Sequence, residues 1–326
     1  MKAGRIHVPT RNFEVKEIPI PIPGPREVRI KVGAAGVCLS DVHFLDGTLS
    51  PGYLKGDEVT LGHEVAGTIE LLGDEVRDVK VGDRVLVIAG ERNEQGQITT
   101  LGFDYDGGYA EYVIARTSLV VKIPDSLPFE QAAIIPDAVS TPWAAISTTA
   151  RMKAGERAAV FGTGGLGIHA VQLLKMIGCE VIAIDPRADA REKAHEIGAS
   201  HAFDPSDPEL KKFRGLNAAF DFAGVSAVRK QALSLLGEAG RLVIVGIANE
   251  PITIPNDMAF TYMRTQILGH YGSEPEHTRQ LVDFVASGKL DLSRSISDVL
   301  PLSSAREALT RLESKIGNPI RIVLKP

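Results

Sequence analysis

Short segments in which apolar and polar residues alternate fill the N-terminal part of the chain. Residues 27–32, 65–72 and 84–89 show this period of two, which predicts β-strands. The Gly-Asp pairs at 73–74 and 82–83 separate these segments, as turns do. Dense short strands between turns predict a closed or nearly closed antiparallel barrel.

A different pattern begins near Ala132. Residues 132–150 are small and apolar without a strand's alternation, and we predict that they form a helix joining two domains. From Ala158 onward, short apolar runs alternate with helical spacing. The predicted strands are 158–161, 181–184, 218–222, 242–245, 266–268 and 321–325, and the predicted helices include 168–177, 278–286 and 305–315. Strands that alternate with helices are typical of a parallel, doubly wound sheet.

A glycine-rich loop joins strand 158–161 to the helix after it. Its sequence, Gly162-Thr163-Gly164-Gly165-Leu166-Gly167, fits GxGxxG in the strand–turn–helix context of a dinucleotide-binding loop. Gly162 permits the tight turn, Gly164 lets a pyrophosphate approach the backbone, and Gly167 lets the helix pack closely on the strand. The helix N-terminus then offers N–H donors to phosphate. The alternative is an ordinary glycine-rich turn.

Asp185 ends the second of these apolar strands, 23 residues after Gly162. This is near the spacing of the acid that accepts hydrogen bonds from the adenosine ribose. A carboxylate there repels the 2′-phosphate of NADP, so the sequence favours NAD. Two alternatives stay open: Arg187 could pair with that phosphate, and Asp185 could be a solvated turn residue before Pro186.

The charge balance argues against nucleic acid or an anionic membrane as a partner. The 326 residues include 36 Lys+Arg and 41 Asp+Glu, a net charge of −5, without a long basic run. The N-terminus leads straight into strand-like sequence, and no apolar run is long enough to span a membrane, so we expect a cytoplasmic protein. With two cysteines, Cys38 and Cys179, a four-cysteine zinc site is impossible.

Cys38, His63, Glu64 and Asp137 offer the donor atoms that a catalytic zinc ion takes. None of them is diagnostic alone. A single cysteine among apolar residues is usually a small buried hydrophobe. A single histidine is more often a surface or core residue than a ligand. The segments around these residues carry further information.

Several segments are similar to motifs of the zinc-dependent, medium-chain alcohol dehydrogenase family. They appear in the family's order along essentially the whole chain. The matching segments are 36–43 (GVCLSDVH), 62–67 (GHEVAG) with Gly73 and 82–85 (GDRV), 107–112 (GGYAEY), 136–141 (PDAVST) and 317–321 (GNPIR). At the position of Asp137, family members carry Cys or Asp.

The resemblance implies an α/β fold, with a GroES-like β-barrel catalytic domain and an inserted Rossmann domain that holds the doubly wound parallel sheet. The catalytic domain would comprise residues 1–138 and 273–326, and the Rossmann domain residues 139–272. An active site in the cleft between the domains, and a homodimer or homotetramer, are also implied.

By the same resemblance, Cys38, His63 and Asp137 are the ligands of one catalytic zinc ion per chain. Glu64 is a nearby carboxylate that approaches the metal when the fourth position changes. Asp41 orients His63 through its second ring nitrogen. The family's longer members carry four closely spaced cysteines for a structural zinc ion, whereas residues 90–96 here contain none.

Proton transfer and cofactor binding are assigned by resemblance as well. Ser40 and His43 form a relay that carries the alcohol proton to solvent, helped by histidine's titration near neutral pH. The alternative for Ser40 is an N-cap of a helix starting near Asp41. The implied cofactor contacts are Thr141 and Leu166 with the nicotinamide, Val245 and Ile247 near its carboxamide, and Arg321 with the pyrophosphate.

Together these roles imply an NAD-dependent alcohol dehydrogenase that acts on a small alcohol, aldehyde or ketone. Zinc would polarise the alcohol oxygen, and NAD would accept the hydride. Two alternatives remain. One is a zinc-free quinone or enoyl reductase of the same superfamily, which needs no metal ligands. The other is a non-catalytic NAD-binding relative, which needs no relay.

Overall fold

The chain folds into two units. The computed structural model describes residues 1–93, 95–247 and 250–326. The first unit comprises Met1–Ala138 and Glu274–Pro326, and the second comprises Val139–Ser273. Within the described residues, every helix is too short or too polar to cross a membrane.

The secondary structure mixes short strands with short helices. The strands are β1 (Lys2–His7), β2 (Asn12–Glu17), β3 (Glu27–Val37), β4 (Glu58–Thr60), β5 (Glu64–Leu72), β6 (Arg84–Val87), β7 (Gly90–Arg92), β8 (Ile98–Thr100), β9 (Tyr112–Arg116), β10 (Val120–Lys122), β11 (Arg157–Phe161), β12 (Glu180–Ile184), β13 (His201–Phe203), β14 (Leu216–Asp221), β15 (Leu236–Ile244), β16 (Gln266–Gly269), β17 (Ile296–Pro301) and β18 (Arg321–Lys325). The α-helices are α1 (Leu39–Asp46), α2 (Phe129–Ala133), α3 (Ser140–Ala144), α4 (Gly167–Met176), α5 (Ala188–Ile197), α6 (Ser226–Leu235), α7 (Asp257–Tyr262), α8 (Pro275–Ala286) and α9 (Ala305–Glu313).

The first unit is built around a seven-stranded sheet. Its strand order is β10-β6-β5-β3-β18-β17, and β9 also pairs with β3. A three-stranded sheet, β2-β1-β4, and the ribbon β7-β8 complete the unit. Val28, Ile30 and Ile69 are fully buried, as the period-two pattern requires. Most pairs are antiparallel, as the sequence predicts, but β17 and β18 pair in parallel because α9 lies between them in the chain.

The second unit contains the parallel sheet that the alternating pattern predicts. Its strand order is β13-β12-β11-β14-β15-β16, and all neighbours are parallel. This is the 3-2-1-4-5-6 order of a doubly wound dinucleotide-binding fold. The order reverses between β11 and β14, and the glycine-rich loop follows β11 at this switch point, where ligands of such sheets bind.

Residues 132–150 differ from the single helix predicted for them. They contain a series of short helical pieces: α2 ends at Ala133, π-helical turns span Ile135–Val139 and Ala145–Thr149, and α3 lies between these turns. Pro136 has no N–H to donate to a regular α-helical bond, so the helix cannot continue unchanged through it. Single π turns often mark functional sites, and Asp137 lies in the first of these turns.

Candidate functional site

Four potential metal ligands converge in the first unit. Cys38 is the N-cap residue of α1, directly after β3, while His63 and Glu64 stand at the start of β5. Asp137 comes from the π turn Ile135–Val139. One donor atom from each of these four side chains lies within 4.8 Å of the others. The structure therefore brings together all four residues that the sequence singled out as candidate ligands.

Asp137 lies at the distance from Cys38 and from His63 that a shared metal ion requires. The Sγ atom of Cys38 lies 3.3 Å from Oδ2 of Asp137, and Nε2 of His63 lies 3.4 Å from the same oxygen. Ligand atoms at the corners of a zinc tetrahedron are about 3.3–3.5 Å apart, given Zn–ligand bonds of about 2.0–2.3 Å. Cys38 and His63 are buried, and Asp137 is 19% exposed, so one side of the cluster is open.

Glu64 is engaged by a buried arginine. Its Oε1 accepts hydrogen bonds from Nη2 of Arg321 at 2.6 Å and from the backbone N–H of Ala138 at 3.0 Å. Burial raises the pKa of Glu64 to about 7, although the Arg321 guanidinium acts in the opposite direction. The close fit needs Gly36, because a Cβ there would stand 2.0 Å from Oε2 of Glu64. Cys38, His63 and Asp137 are thus the donors best placed to share one ion.

The charge of the cluster favours a divalent cation. Glu64 and Asp137 carry carboxylates, Cys38 can supply a thiolate, and Arg321 is the positive partner that contacts them, at 2.6–3.6 Å. Oε2 of Glu64 is buried without a hydrogen-bond partner among the described residues. A bound cation would displace the protons that the imidazole and the thiol of this cluster otherwise carry. The donor set, one sulfur, one imidazole and carboxylate oxygen, suits zinc.

A second layer of contacts orients His63. Oδ1 of Asp41 lies 3.5 Å from Nδ1 of His63, which leaves Nε2 facing Asp137. Burial lowers the pKa of His63, but Asp41 and Asp137 outweigh burial and hold that pKa well above its usual value. Tyr109 donates its O–H to Oδ2 of Asp41 at 2.8 Å, and the Cys38 backbone N–H reaches the same oxygen at 3.0 Å. Sequence reasoning matched the segment of Tyr109 to a barrel strand and missed this contact.

The predicted relay residues lie one turn apart on α1. The Oγ of Ser40 lies 3.6 Å from the Cys38 sulfur, at the edge of the cluster. The His43 side chain is 34% exposed, and its Nδ1 lies 3.6 Å from a carboxylate oxygen of Asp46. The structure therefore places Ser40 near the cluster and His43 toward solvent. The alternative role of Ser40 as a helix N-cap is wrong, because Cys38 occupies that position.

The glycine-rich loop in the second unit has the backbone that a phosphate site needs. Gly162 has a φ of 82°, and a Cβ on Gly167 would stand 1.8 Å from the Gly162 carbonyl oxygen. A Cβ on Gly164 would meet nothing within 4 Å, so the backbone there is open to a ligand. Gly165 and Leu166 complete the loop, and α4 begins at Gly167 with its N–H groups toward it.

The other predicted cofactor residues of this unit are placed as follows. Asp185 directly follows β12 and forms an ion pair with Arg187 at 3.0 Å. Thr141 is buried in α3, and its carbonyl oxygen accepts a hydrogen bond from His270 at 3.0 Å. The Val245 N–H donates to the carbonyl of Asp221 at 3.0 Å, and Ile247 is 55% exposed. Each role in cofactor binding stays a prediction.

Arg321 lies where the sequence did not place it. The resemblance implies a contact with the cofactor pyrophosphate, whereas in this structure the guanidinium is 1% exposed and contacts Glu64 and Asp137. Arg321 and Glu64 are 257 residues apart in the chain, so local sequence could not reveal the pair. The pyrophosphate contact stays a prediction that would require Arg321 to move.

Two family models match the chain. The alcohol dehydrogenase GroES-like domain matches residues 24–125, and the zinc-binding dehydrogenase model matches residues 165–287. The chain is 32% identical to an alcohol dehydrogenase of Geobacillus stearothermophilus, covering 100% of this chain and 99% of that protein.

Solved structures are similar over the full length. The 2R,3R-butanediol dehydrogenase of Bacillus subtilis superposes with a TM-score of 0.91 at 27% identity, covering 100% of this chain and 99% of the other. The NADP-bound crystal structure of a Sinorhizobium meliloti 1021 protein of the zinc-binding dehydrogenase type gives the same TM-score, identity and coverage.

Proposed function

Because this chain belongs to the zinc-type medium-chain dehydrogenase superfamily, we propose that it is a zinc-dependent alcohol dehydrogenase. Its reaction is the reversible transfer of hydride between a small primary or secondary alcohol and NAD. The alcohol, butanediol and sorbitol dehydrogenases among its relatives support a substrate with a CH–OH group.

One observation carries the proposal: the cluster of Cys38, His63 and Asp137 beside Glu64. A zinc-free reductase has no use for a sulfur, an imidazole and a carboxylate donor gathered within 4.8 Å of one another. When bound, zinc supplies a Lewis acid that polarises the alcohol oxygen and lowers its pKa. The partial exposure of Asp137 leaves one side of the cluster accessible to a substrate oxygen.

The protein's own residues then handle the proton. Ser40, at the edge of the cluster, accepts the proton of the substrate hydroxyl as its own hydroxyl proton passes outward. His43, which is partly exposed, delivers it to solvent. Asp41 faces Nδ1 of His63 at 3.5 Å, an arrangement that favours a proton on Nδ1 and leaves Nε2 directed at the metal position. A relay of this kind serves turnover, which disfavours a non-catalytic NAD-binding role.

The second unit offers the residues for the cofactor. We infer that the loop from Gly162 to Gly167 and the N-terminus of α4 hold the pyrophosphate of NAD. Asp185, directly after β12, would accept hydrogen bonds from the adenosine ribose once the Arg187 side chain makes room. The cofactor then supplies the hydride chemistry.

The proposal is tested with purified, zinc-repleted protein. We expect one zinc ion per chain by metal analysis and NADH formation with at least one member of a panel of primary and secondary alcohols. Two zinc ions per chain, or none after repletion, would contradict the metal assignment. Full zinc loading with no turnover on any alcohol, aldehyde or ketone would instead favour the alternative of a non-catalytic NAD-binding protein.

Tyr109→Phe should weaken zinc binding without changing the ligands. The variant removes the O–H that holds Asp41, so the carboxylate that orients His63 keeps one fewer donor. We expect zinc affinity to fall by up to about tenfold, the lower end of the effect of outer-shell mutations. Competition with a chromophoric zinc chelator measures it.

Tyr112→Phe is the matched control for that experiment, because Tyr112 lies on β9 and contacts Arg29 outside the cluster. Its zinc affinity should equal that of the unaltered protein. Equal zinc affinity for Tyr109→Phe and Tyr112→Phe would remove Tyr109 from the metal centre.

A further inference from the structure

We propose that the adenosine end of the cofactor site accepts NADP as well as NAD, and that Arg187 determines the balance between them. This inference rests on the proposed function, since it concerns the same cofactor site. It starts from the hydrogen bonds around Asp185, the residue from which the sequence favours NAD alone.

The carboxylate of Asp185 is already saturated with donors. Oδ1 accepts from the backbone N–H and the Nε of Arg187, both at 3.0 Å. Oδ2 accepts from the Thr163 N–H at 2.9 Å and from Nη2 of Arg187 at 3.1 Å. A carboxylate offers about four lone-pair sites. The ribose hydroxyls of NAD can therefore bind Asp185 only if the Arg187 side chain moves away.

The pair also removes the charge that would exclude NADP. The Asp185 side chain is 4% exposed and the Arg187 side chain 27%, so the cation lies on the solvent side of the acid. Burial raises the pKa of Asp185, but the hydrogen bonds from Arg187 and Thr163 outweigh it and keep the pKa below its usual value. An ionised acid under a guanidinium is a neutral pair, and it repels a 2′-phosphate far less than a lone carboxylate does.

The neighbouring charges are balanced in the same way. Nη1 of Arg191 lies 3.3 Å from Oδ2 of Asp204 and donates to the carbonyl oxygens of Asp185 and Pro186 at 2.8 and 2.9 Å. Two acids and two arginines therefore surround the end of β12.

The two cofactors use the pair in different ways. With NAD, the ribose hydroxyls replace the Arg187 side chain on Asp185, and the loss of that ion pair offsets part of the gain. With NADP, the Arg187 guanidinium stays between Asp185 and the 2′-phosphate, so that it still offsets the charge of the acid while it donates to the phosphate. Asp185 keeps the backbone donors of Thr163 and Arg187 in either state. Discrimination between NAD and NADP is therefore modest, and Arg187 determines it.

Isothermal titration calorimetry of zinc-loaded protein with NAD⁺ and with NADP⁺ tests the proposal. We expect the unaltered protein to bind both, with dissociation constants within about tenfold, because NAD⁺ gains ribose hydrogen bonds but displaces the Arg187–Asp185 pair, whereas NADP⁺ gains a contact with Arg187. Arg187→Gln should weaken NADP⁺ binding by about 10- to 100-fold and leave NAD⁺ binding equal or tighter. Asp185→Asn should change the ratio of the two dissociation constants in the opposite direction, in favour of NADP⁺.

Arg157→Gln provides the matched control. Arg157 pairs with Glu180 at 3.1 Å at the opposite end of the same two strands, β11 and β12, so both dissociation constants should be unchanged. Unaltered protein that binds NAD⁺ but not NADP⁺ would overturn this inference alone. So would an equal loss for both cofactors in Arg187→Gln, which would make Arg187 structural. Failure to bind either cofactor would contradict the proposed function itself.

Discussion

Replacing Asp137 with asparagine should abolish zinc binding at ordinary zinc concentrations and lower kcat/KM for alcohol oxidation by at least about 10³-fold. Lewis-acid stabilisation contributes several kcal/mol to such reactions, and each 1.36 kcal/mol is tenfold in rate. Oδ2 of Asp137 is the atom that both Cys38 and His63 approach, at 3.3 and 3.4 Å. A neutral amide at this position neither carries the charge nor binds zinc as strongly. Metal analysis and steady-state kinetics measure the two losses.

Two variants serve as controls for this prediction. Glu64→Gln should retain one zinc ion per chain, since Glu64 is held by Arg321 and the Ala138 N–H. Asp106→Asn removes a carboxylate that contacts Arg5 at 2.9 Å outside the cluster, and zinc content should be normal. If Glu64→Gln loses zinc while Asp137→Asn keeps it, the assignment of the third ligand is wrong and Glu64 takes its place.

Ser40→Ala should lower kcat/KM for alcohol oxidation by about 10²–10⁴-fold, the usual contribution of a general acid–base step. The variant removes the first hydroxyl of the relay, 3.6 Å from the Cys38 sulfur. Zinc content should not change, because Ser40 is not a ligand. The melting temperature should also change little, since Cys38 and not Ser40 is the N-cap of α1. Kinetics, metal analysis and a thermal melt of one preparation give all three values.

His43→Ala should cost less than Ser40→Ala. The His43 side chain is 34% exposed, so water can replace it as the outer carrier of the proton. Ser50→Ala is the control, because Ser50 contacts Arg11 on the surface, and its kinetics should be normal. Near-normal kinetics for Ser40→Ala with a lowered melting temperature would contradict the relay and leave Ser40 a structural residue.

The doubly wound sheet was predictable from local patterns. Each buried parallel strand is a short apolar run, and the helices between strands show apolar residues at helical spacing. For this reason β11, β12, β14 and β16 begin and end within a few residues of the predicted bounds. The strand order was not predicted and comes from the structure. The single helix predicted for residues 132–150 was wrong, because two π turns interrupt it.

In the candidate site, the sequence identified the residues, whereas some of their contacts appear only in the structure. The sequence named Cys38, His63, Glu64 and Asp137 because their segments match motifs at workable spacings, and the fold brings them within 4.8 Å. From the sequence, Arg321 was assigned to the cofactor, and Tyr109 had no assigned role. The structure instead pairs Arg321 with Glu64 and Tyr109 with Asp41, across 257 and 68 residues of chain.

The sequence by itself determined the two sheet systems, the nucleotide loop and the identity of the candidate ligands, since each depends on periodicity or on a short motif that is complete within one segment. The tertiary structure alone decided which donor each buried carboxylate accepts from. Asp185 illustrates both: its place after β12 was predictable, whereas its saturation by Thr163 and Arg187 was not. Local patterns specify which residues lie at the end of a strand, but the pairing of polar groups depends on how separate segments approach one another in the fold.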